Sequence, residues 1–162
     1  MRLAFLLLGA ALAAAPLASA SAAIPISDVS VKIGGPLAAK SKEYGARELD
    51  WLAAELRSDV QRALAAKGLT GGGGRLELTI VDAKPNRPTF AQMARTPGLS
   101  MESLSIGGAR IEGYEVAPDG ARRPVSYEWY ETRLQDAVGS VTWSDAETAF
   151  ERFASGYAAG RR

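Results

Sequence analysis

Residues 43–83 read EYGARELDWLAAELRSDVQRALAAKGLTGGGGRLELTIVDA. Leu49, Leu52, Ala53, Leu56, Val60, Ala63 and Leu64 recur at three- and four-residue steps. That spacing puts them on one stripe of an amphipathic helix over 43–67. Gly68 follows Lys67, where a left-handed C-terminal cap belongs. Beyond the glycines, Leu76, Leu78 and Ile80 alternate with Glu77, Thr79 and Val81, the pattern of a strand with one face on a core. Upstream, Val29, Val31 and Ile33 alternate with Ser30 and Lys32 before Gly34-Gly35-Pro36 ends the run. Strand, helix and strand at this spacing predict a crossover unit with parallel strands. Gly71 to Gly74 lie between helix and strand with no Lys-Ser or Lys-Thr following. They read as a flexible connection, not a phosphate-binding loop.

Downstream, residues 103–116 and 123–132 read as antiparallel strands joined at Pro118-Asp119-Gly120. There proline presets φ, aspartate accepts a local amide and glycine takes positive φ. Gly107-Gly108 in the first of these strands marks a bulge or a close backbone approach. Residues 134–143, with Val138, Val141 and Trp143, are expected to add a short last strand. Ser144-Asp145-Ala146-Glu147 has the form of a capping box. It opens a helix to about residue 159 whose stripe is Ala146, Ala149, Phe150, Phe153 and Tyr157. The fold class is therefore α+β: a single mixed β-sheet of four to five strands with two amphipathic helices on one face, in the order β-α-β-β-β-(β)-α.

The start of the chain has a different character. Met1-Arg2 precedes an apolar, small-residue run over 3–15 that is too short to span a bilayer as a helix. Pro16 and Ala18-Ser19-Ala20 follow. Residues 1–20 are thus expected to be a secretory signal peptide, cleaved before Ser21 or alternatively before Ile24. The remainder, 24–160, is expected to be one domain with a long loop at 84–102 and no membrane span. The chain has 19 Lys and Arg against 18 Asp and Glu, and without Arg2 the two classes balance. A near-neutral domain does not suit nucleic acid as a partner.

Histidine and cysteine are absent. That removes the Ser-His-Asp and Cys-His triads, thiol chemistry, disulfides and the common zinc sites. Carboxylates are the one catalytic device left. Glu128 and Glu131 are three apart on a strand and fall on opposite faces. Glu112 and Glu128 would face each other across the hairpin, where like charges usually form a solvated surface. No catalytic, cofactor-binding or metal-binding residue is assigned, no cofactor is expected, and the chain is read as a non-enzyme.

What remains is binding. The loop 84–102 holds four proline or glycine breakers yet carries Phe90, Met93 and Met101. Thr89 is placed to cap one helical turn through Met93. Trp51 falls off the helix stripe, so it is either covered by the segment 34–42 beside Arg47 or exposed as a partner anchor. Trp51, Phe90, Met93 and Met101 are the candidate partner contacts. Tyr127, Glu128, Trp129, Tyr130 and Glu131 are the candidate ligand contacts, on a sheet face that nothing in the sequence covers. The expected role is a non-enzymatic periplasmic or secreted binding or assembly module of the bacterial envelope, its partner another envelope protein. The alternative is a small-ligand, glycan-type binding protein that uses the strand aromatics.

Three motifs bear on that reading: Pro85-Asn86-Arg87-Pro88-Thr89; Gly107-Gly108-Ala109 with Glu112-Gly113; and Thr142-Trp143-Ser144-Asp145-Ala146-Glu147 with Ala149-Phe150 and Phe153-Ala154. Together they are similar to an uncharacterised family of small bacterial exported or envelope proteins, a domain of unknown function with some lipoprotein members. The resemblance covers about half the chain and implies an envelope location. It brings no catalytic residue. The chain departs from the lipoprotein members in lacking a lipid-bearing cysteine.

Overall fold

The structure, a computed structural model, describes residues 24–161. The expected export signal and the cleavage point before Ser21 lie outside them. The elements are β1 (Ile26–Ile33), α1 (Gly35–Ala39), α2 (Ser41–Tyr44), α3 (Ala46–Ala66), β2 (Thr70–Lys84), α4 (Phe90–Met93), β3 (Gly108–Val116), β4 (Arg122–Tyr130), a 3-10 turn (Leu134–Ala137) and α5 (Ser144–Ala158). The four strands form one sheet in the order β1-β2-β3-β4. β1 and β2 run parallel, and the other two pairs run antiparallel. α3 and α5 pack on one face of this sheet and on each other. No helix among the described residues is long and apolar enough to cross a membrane.

The periodicities explain the packing. Val29, Val31 and Ile33 stand beside Leu76, Leu78 and Ile80, and Ile111 continues the row on β3. This face meets Leu49, Leu52, Leu56, Val60 and Leu64 of α3 and Phe150, Phe153 and Tyr157 of α5 in one hydrophobic cluster. Each such fully buried side chain contributes about 1.5–3 kcal/mol.

Four details differ from the sequence reading. The expected helix over 43–67 is interrupted at Gly45, whose φ of +98° is left-handed, so Ser41–Tyr44 forms a separate turn. The glycine run is the start of β2 rather than a flexible connection. Its glycines are needed because a Cβ on Gly72 would lie 2.3 Å from the Pro25 carbonyl oxygen. The segment 134–143 makes no strand among the described residues. Val138 and Val141 have opposite parity and cannot share a sheet face, Gly139 turns the chain at φ +88°, and both valines are exposed. Ser144 does not cap α5; its hydroxyl accepts the Val141 amide instead, at 2.9 Å.

The turn between β3 and β4 forms as expected, with Asp119 accepting the Ala121 amide and Gly120 at φ +87°. The register it sets places Glu112 opposite Ser126 and Glu128 opposite Arg110. The two glutamates are therefore not paired across the hairpin. Glu112 lies beside Arg110 at 3.6 Å.

Candidate functional site

The chemistry-bearing residues gather where β2 ends and α3 and α5 begin. Asn86, fully buried, is the centre. Its amide nitrogen donates to the Asp145 carboxylate at 2.6 Å and to the Ser105 carbonyl at 3.3 Å. Its side-chain oxygen accepts the Asp145 backbone amide at 2.9 Å. The same carboxylate oxygen of Asp145 accepts the Gly107 amide at 2.8 Å. The Asn86 backbone is also paired at both groups, donating to Thr142 and accepting from Ser105. One asparagine thus ties together three chain segments, with every donor and acceptor of its side chain engaged. Gly107 has to be glycine here, since a Cβ would fall 2.7 Å from both the Asn86 side-chain oxygen and the Lys84 carbonyl.

Arg87 adds a second clamp. Its Nε donates to the Ser140 carbonyl at 3.1 Å, and its Nη1 to the carbonyls of Met101 and Glu102, each at 3.1 Å. The rigid guanidinium fork suits three fixed carbonyls better than a lysine would. Thr89 caps α4 as expected. Its hydroxyl accepts the Gln92 amide while the Gln92 side chain accepts the Thr89 amide, a reciprocal box. Gln92 then donates to Glu43 of α2 at 3.1 Å. Trp143 donates its ring N–H to Glu48 at 2.7 Å and meets Tyr44 edge-on at 5.6 Å.

Above this bonded base the surface is apolar. Phe90 is 76 % exposed, Val138 73 % and Val141 62 %; Met101 is also exposed. Trp51 is exposed too, and shares a groove with Val141, Trp143 and Arg47. No residue of the segment 34–42 lines that groove. Met93 is half-buried on α4. α4 packs on α2, and Ala91 lies beside Gly45 at the entry to α3. Arg87 holds Met101 and Ser140 from beneath. Of the four candidate partner contacts, Phe90 and Met93 lie on α4, Met101 lies in a segment tied through Arg87 to Ser140, and Trp51 lies in the groove with Val141 next to Ser140. Val138 and Val141, on either side of Ser140, are exposed as well. They were missed because a strand assignment gave them a sheet face.

The five candidate ligand contacts are not brought together. Strand alternation puts Tyr127 and Trp129 on the helix side, half-buried against the core. There Tyr127 meets Phe153 at 6.1 Å and Trp129 carries the Arg152 guanidinium 4.2 Å from its ring centre. Glu128 and Tyr130 lie on the opposite face, and Glu131 follows the strand end. Tyr130 donates to Asp82 at 2.8 Å, while Lys40 donates to the other Asp82 oxygen at 3.1 Å. Burial and then the Asp82 bond raise the Tyr130 hydroxyl far above its usual range. Burial alone would raise Asp82, but its bonds to Tyr130 and Lys40 outweigh that and hold it below the ordinary value. Glu131 is held low by the Thr132 and Arg133 amides it accepts.

The sheet face away from α3 and α5 is polar. α1 crosses it near Thr79 and Val81, and the rest shows Lys32, Glu77, Arg110, Glu112, Tyr114 and Arg122. Arg122 pairs with Glu77 at 2.9 Å and lies over the Tyr114 ring. On the helix side, buried Glu115 accepts the Tyr157 hydroxyl at 2.7 Å with Arg123 at 3.5 Å.

No family model matches the chain, and no curated protein matches it. Among solved structures it is similar to a minor lipoprotein from Acinetobacter baumannii, 11 % identical over 84 % of this chain and 90 % of that one, with a TM-score of 0.38. It is also similar to a provisionally named lipoprotein from Caulobacter crescentus CB15, 15 % identical over 81 % of this chain and 82 % of that one, with a TM-score of 0.31. Both likenesses are loose and neither name carries an activity, so the role of the chain is read from its own side chains.

Proposed function

We propose that the protein is an exported, non-enzymatic binding module of the bacterial envelope, and that it meets another envelope protein through the region of Trp51, Phe90, Met101, Val138 and Val141. One observation carries this reading. Large apolar side chains stand exposed over a base whose polar groups are engaged with one another: Asn86 with Asp145, Arg87 with three carbonyls, Thr89 with Gln92. An apolar centre on a rigid, internally bonded support is what a protein contact requires. Catalysis needs a nucleophile or base aimed at open space, and these groups are aimed at each other.

A photo-crosslinking residue placed at Phe90 or Val138 in cells tests this, with Gln61 on the exposed side of α3 as control. A defined envelope protein is expected from the first two positions and not from the third. The double change Phe90→Ser, Met93→Ser is expected to abolish the product formed from Val138. Equal crosslinking from all three positions, or none, would discard the reading.

A glycan-type ligand is the second reading. A groove of about 630 Å3 between β4 and α5 favours it, where Tyr127 and Tyr157 lie beside Glu151, Arg152 and Arg161. Planar rings beside hydrogen-bonding groups suit sugar faces. Trp129→Ala would release Arg152 at the rim of this groove, and an unchanged glycan response in that variant would count against it.

A further inference from the structure

A second cleft, of about 370 Å3, opens between α2 and the segments 84–88 and 99–105. It falls in the size range of small-molecule sites. Its walls include Pro85, Pro88, Leu99 and Leu104, and its charged lining side chains are Lys40, Lys84 and Arg87; no Asp or Glu among the described residues lines it. Arg87 has its Nε and Nη1 committed to backbone carbonyls, so it contributes charge more than free donors. Lys40 donates to Asp82 at 3.1 Å and lies 5.5 Å from the centre of the Tyr44 ring, so an ammonium with three donors has one of them in a hydrogen bond. Lys84 makes no ion pair among the described residues; its ammonium rests 4.9 Å from the centre of the Tyr130 ring. The neighbouring carboxylates are already engaged, Asp82 by Lys40 and Tyr130, and Glu43 by Gln92.

An apolar cleft with two ammonium groups, one of them in no ion pair among the described residues, and no carboxylate in its wall has a definite complement. We propose that this cleft binds a small amphiphilic carboxylic acid, its carboxylate between Lys40 and Lys84 and its apolar body against Pro85, Pro88, Leu99 and Leu104. The apolar walls supply affinity in proportion to the area they cover, and charge-assisted bonds from the two ammonium groups fix the head. A neutral molecule of the same shape forgoes the second contribution. A short acid forgoes the first. None of Trp51, Phe90, Met101, Val138 and Val141 lines this cleft, and it needs no partner protein, so its failure would leave the proposed protein contact standing.

The test is a titration of the 15N-labelled protein, followed by amide shifts, with decanoate as probe and 1-decanol and butyrate as controls. Decanoate is expected to saturate one site with shifts confined to Lys40–Tyr44, Lys84–Pro88 and Leu99–Ser105. Decanol and butyrate should each bind about tenfold or more weaker. Lys84→Glu, at an exposed position, and Leu104→Glu, which sets a carboxylate in the wall, should each weaken decanoate by about tenfold or more, the size of a lost charge-assisted bond. The proposal is overturned if decanol matches decanoate, if Lys84→Glu binds like the parent, if the shifts fall in the β4–α5 groove, or if no saturable shift develops.

Discussion

Replacing Asn86 by alanine removes more than one hydrogen bond. The side chain is fully buried, donates to the Asp145 carboxylate at 2.6 Å and accepts the Asp145 amide at 2.9 Å. A hydrogen bond to a charged partner contributes about 1.5–3 kcal/mol, and a buried amide left without an acceptor costs about 1–3 kcal/mol. The 3.3 Å bond to Ser105 is long and adds little. Together Asn86→Ala should cost about 3–5 kcal/mol, a large part of the roughly 5–15 kcal/mol that holds a domain of this kind. For this chain length that corresponds to a fall of about 10–15 °C in Tm. Urea unfolding followed by circular dichroism and tryptophan fluorescence measures it directly. Asn86→Asp gives a sharper signature. It sets two carboxylates at hydrogen-bond distance in a buried site, so one must hold a proton in the folded state. The folded protein then binds a proton that the unfolded chain releases, and stability falls as pH rises from acid to neutral. A loss under about 1 kcal/mol for Asn86→Ala, or no added pH dependence in Asn86→Asp, would refute the claim that this residue ties the three segments together.

Three further outcomes follow from neighbouring contacts. Gly107→Ala should destabilise by about 1–3 kcal/mol in the same unfolding assay, because one of the atoms its Cβ would strike is the Lys84 backbone carbonyl, which cannot swing away. Arg87→Lys should leave the core folded but speed amide exchange in 99–104 and 138–142 by about tenfold, since an ammonium cannot span three carbonyls fixed for a guanidinium. Glu147 is raised above its ordinary 4.5 by burial and then by Glu55, Glu151 and Asp59, so it destabilises the fold increasingly as pH rises from 4.5 through its folded value and constantly above that. Glu147→Gln should therefore be more stable than the parent at mildly alkaline pH, with the gain vanishing in acid; a gain that is the same at both pH values would remove the titration as its cause.

The two stripes and the alternating runs were readable because burial repeats locally. Leu49 to Leu64 and Leu76 to Ile80 needed no knowledge of what they touch, only that one side is dry. The Thr89 cap and the Asp119-Gly120 turn were equally readable, since each bond closes within three residues. Where a residue's partner lay far away, the same kind of reasoning chose wrongly or saw nothing. Ser144 was matched with Glu147 by spacing, and in the fold it serves Val141. Asp145 stood only as an inner position of that capping box, yet its carboxylate turns back to Asn86 and Gly107. The three motifs behind the family resemblance, at 85–89, 107–109 and 142–147, meet in this one junction. Residues from all three form its bonds.

By itself the sequence determined the class of fold, the helix-covered face of the sheet and the chemistry that a chain without histidine or cysteine forgoes. Those depend on composition and on periods of 3.6 and 2, which are properties of a segment alone. The tertiary structure decided the rest. It put Tyr127 and Trp129 on one face and Glu128 and Tyr130 on the other, displaced Glu112 from Glu128 through the register of the hairpin, and joined Asn86 to Asp145 across 59 residues. A buried polar group must find its partner wherever the packed chain supplies one, and nothing in its own segment records where that is.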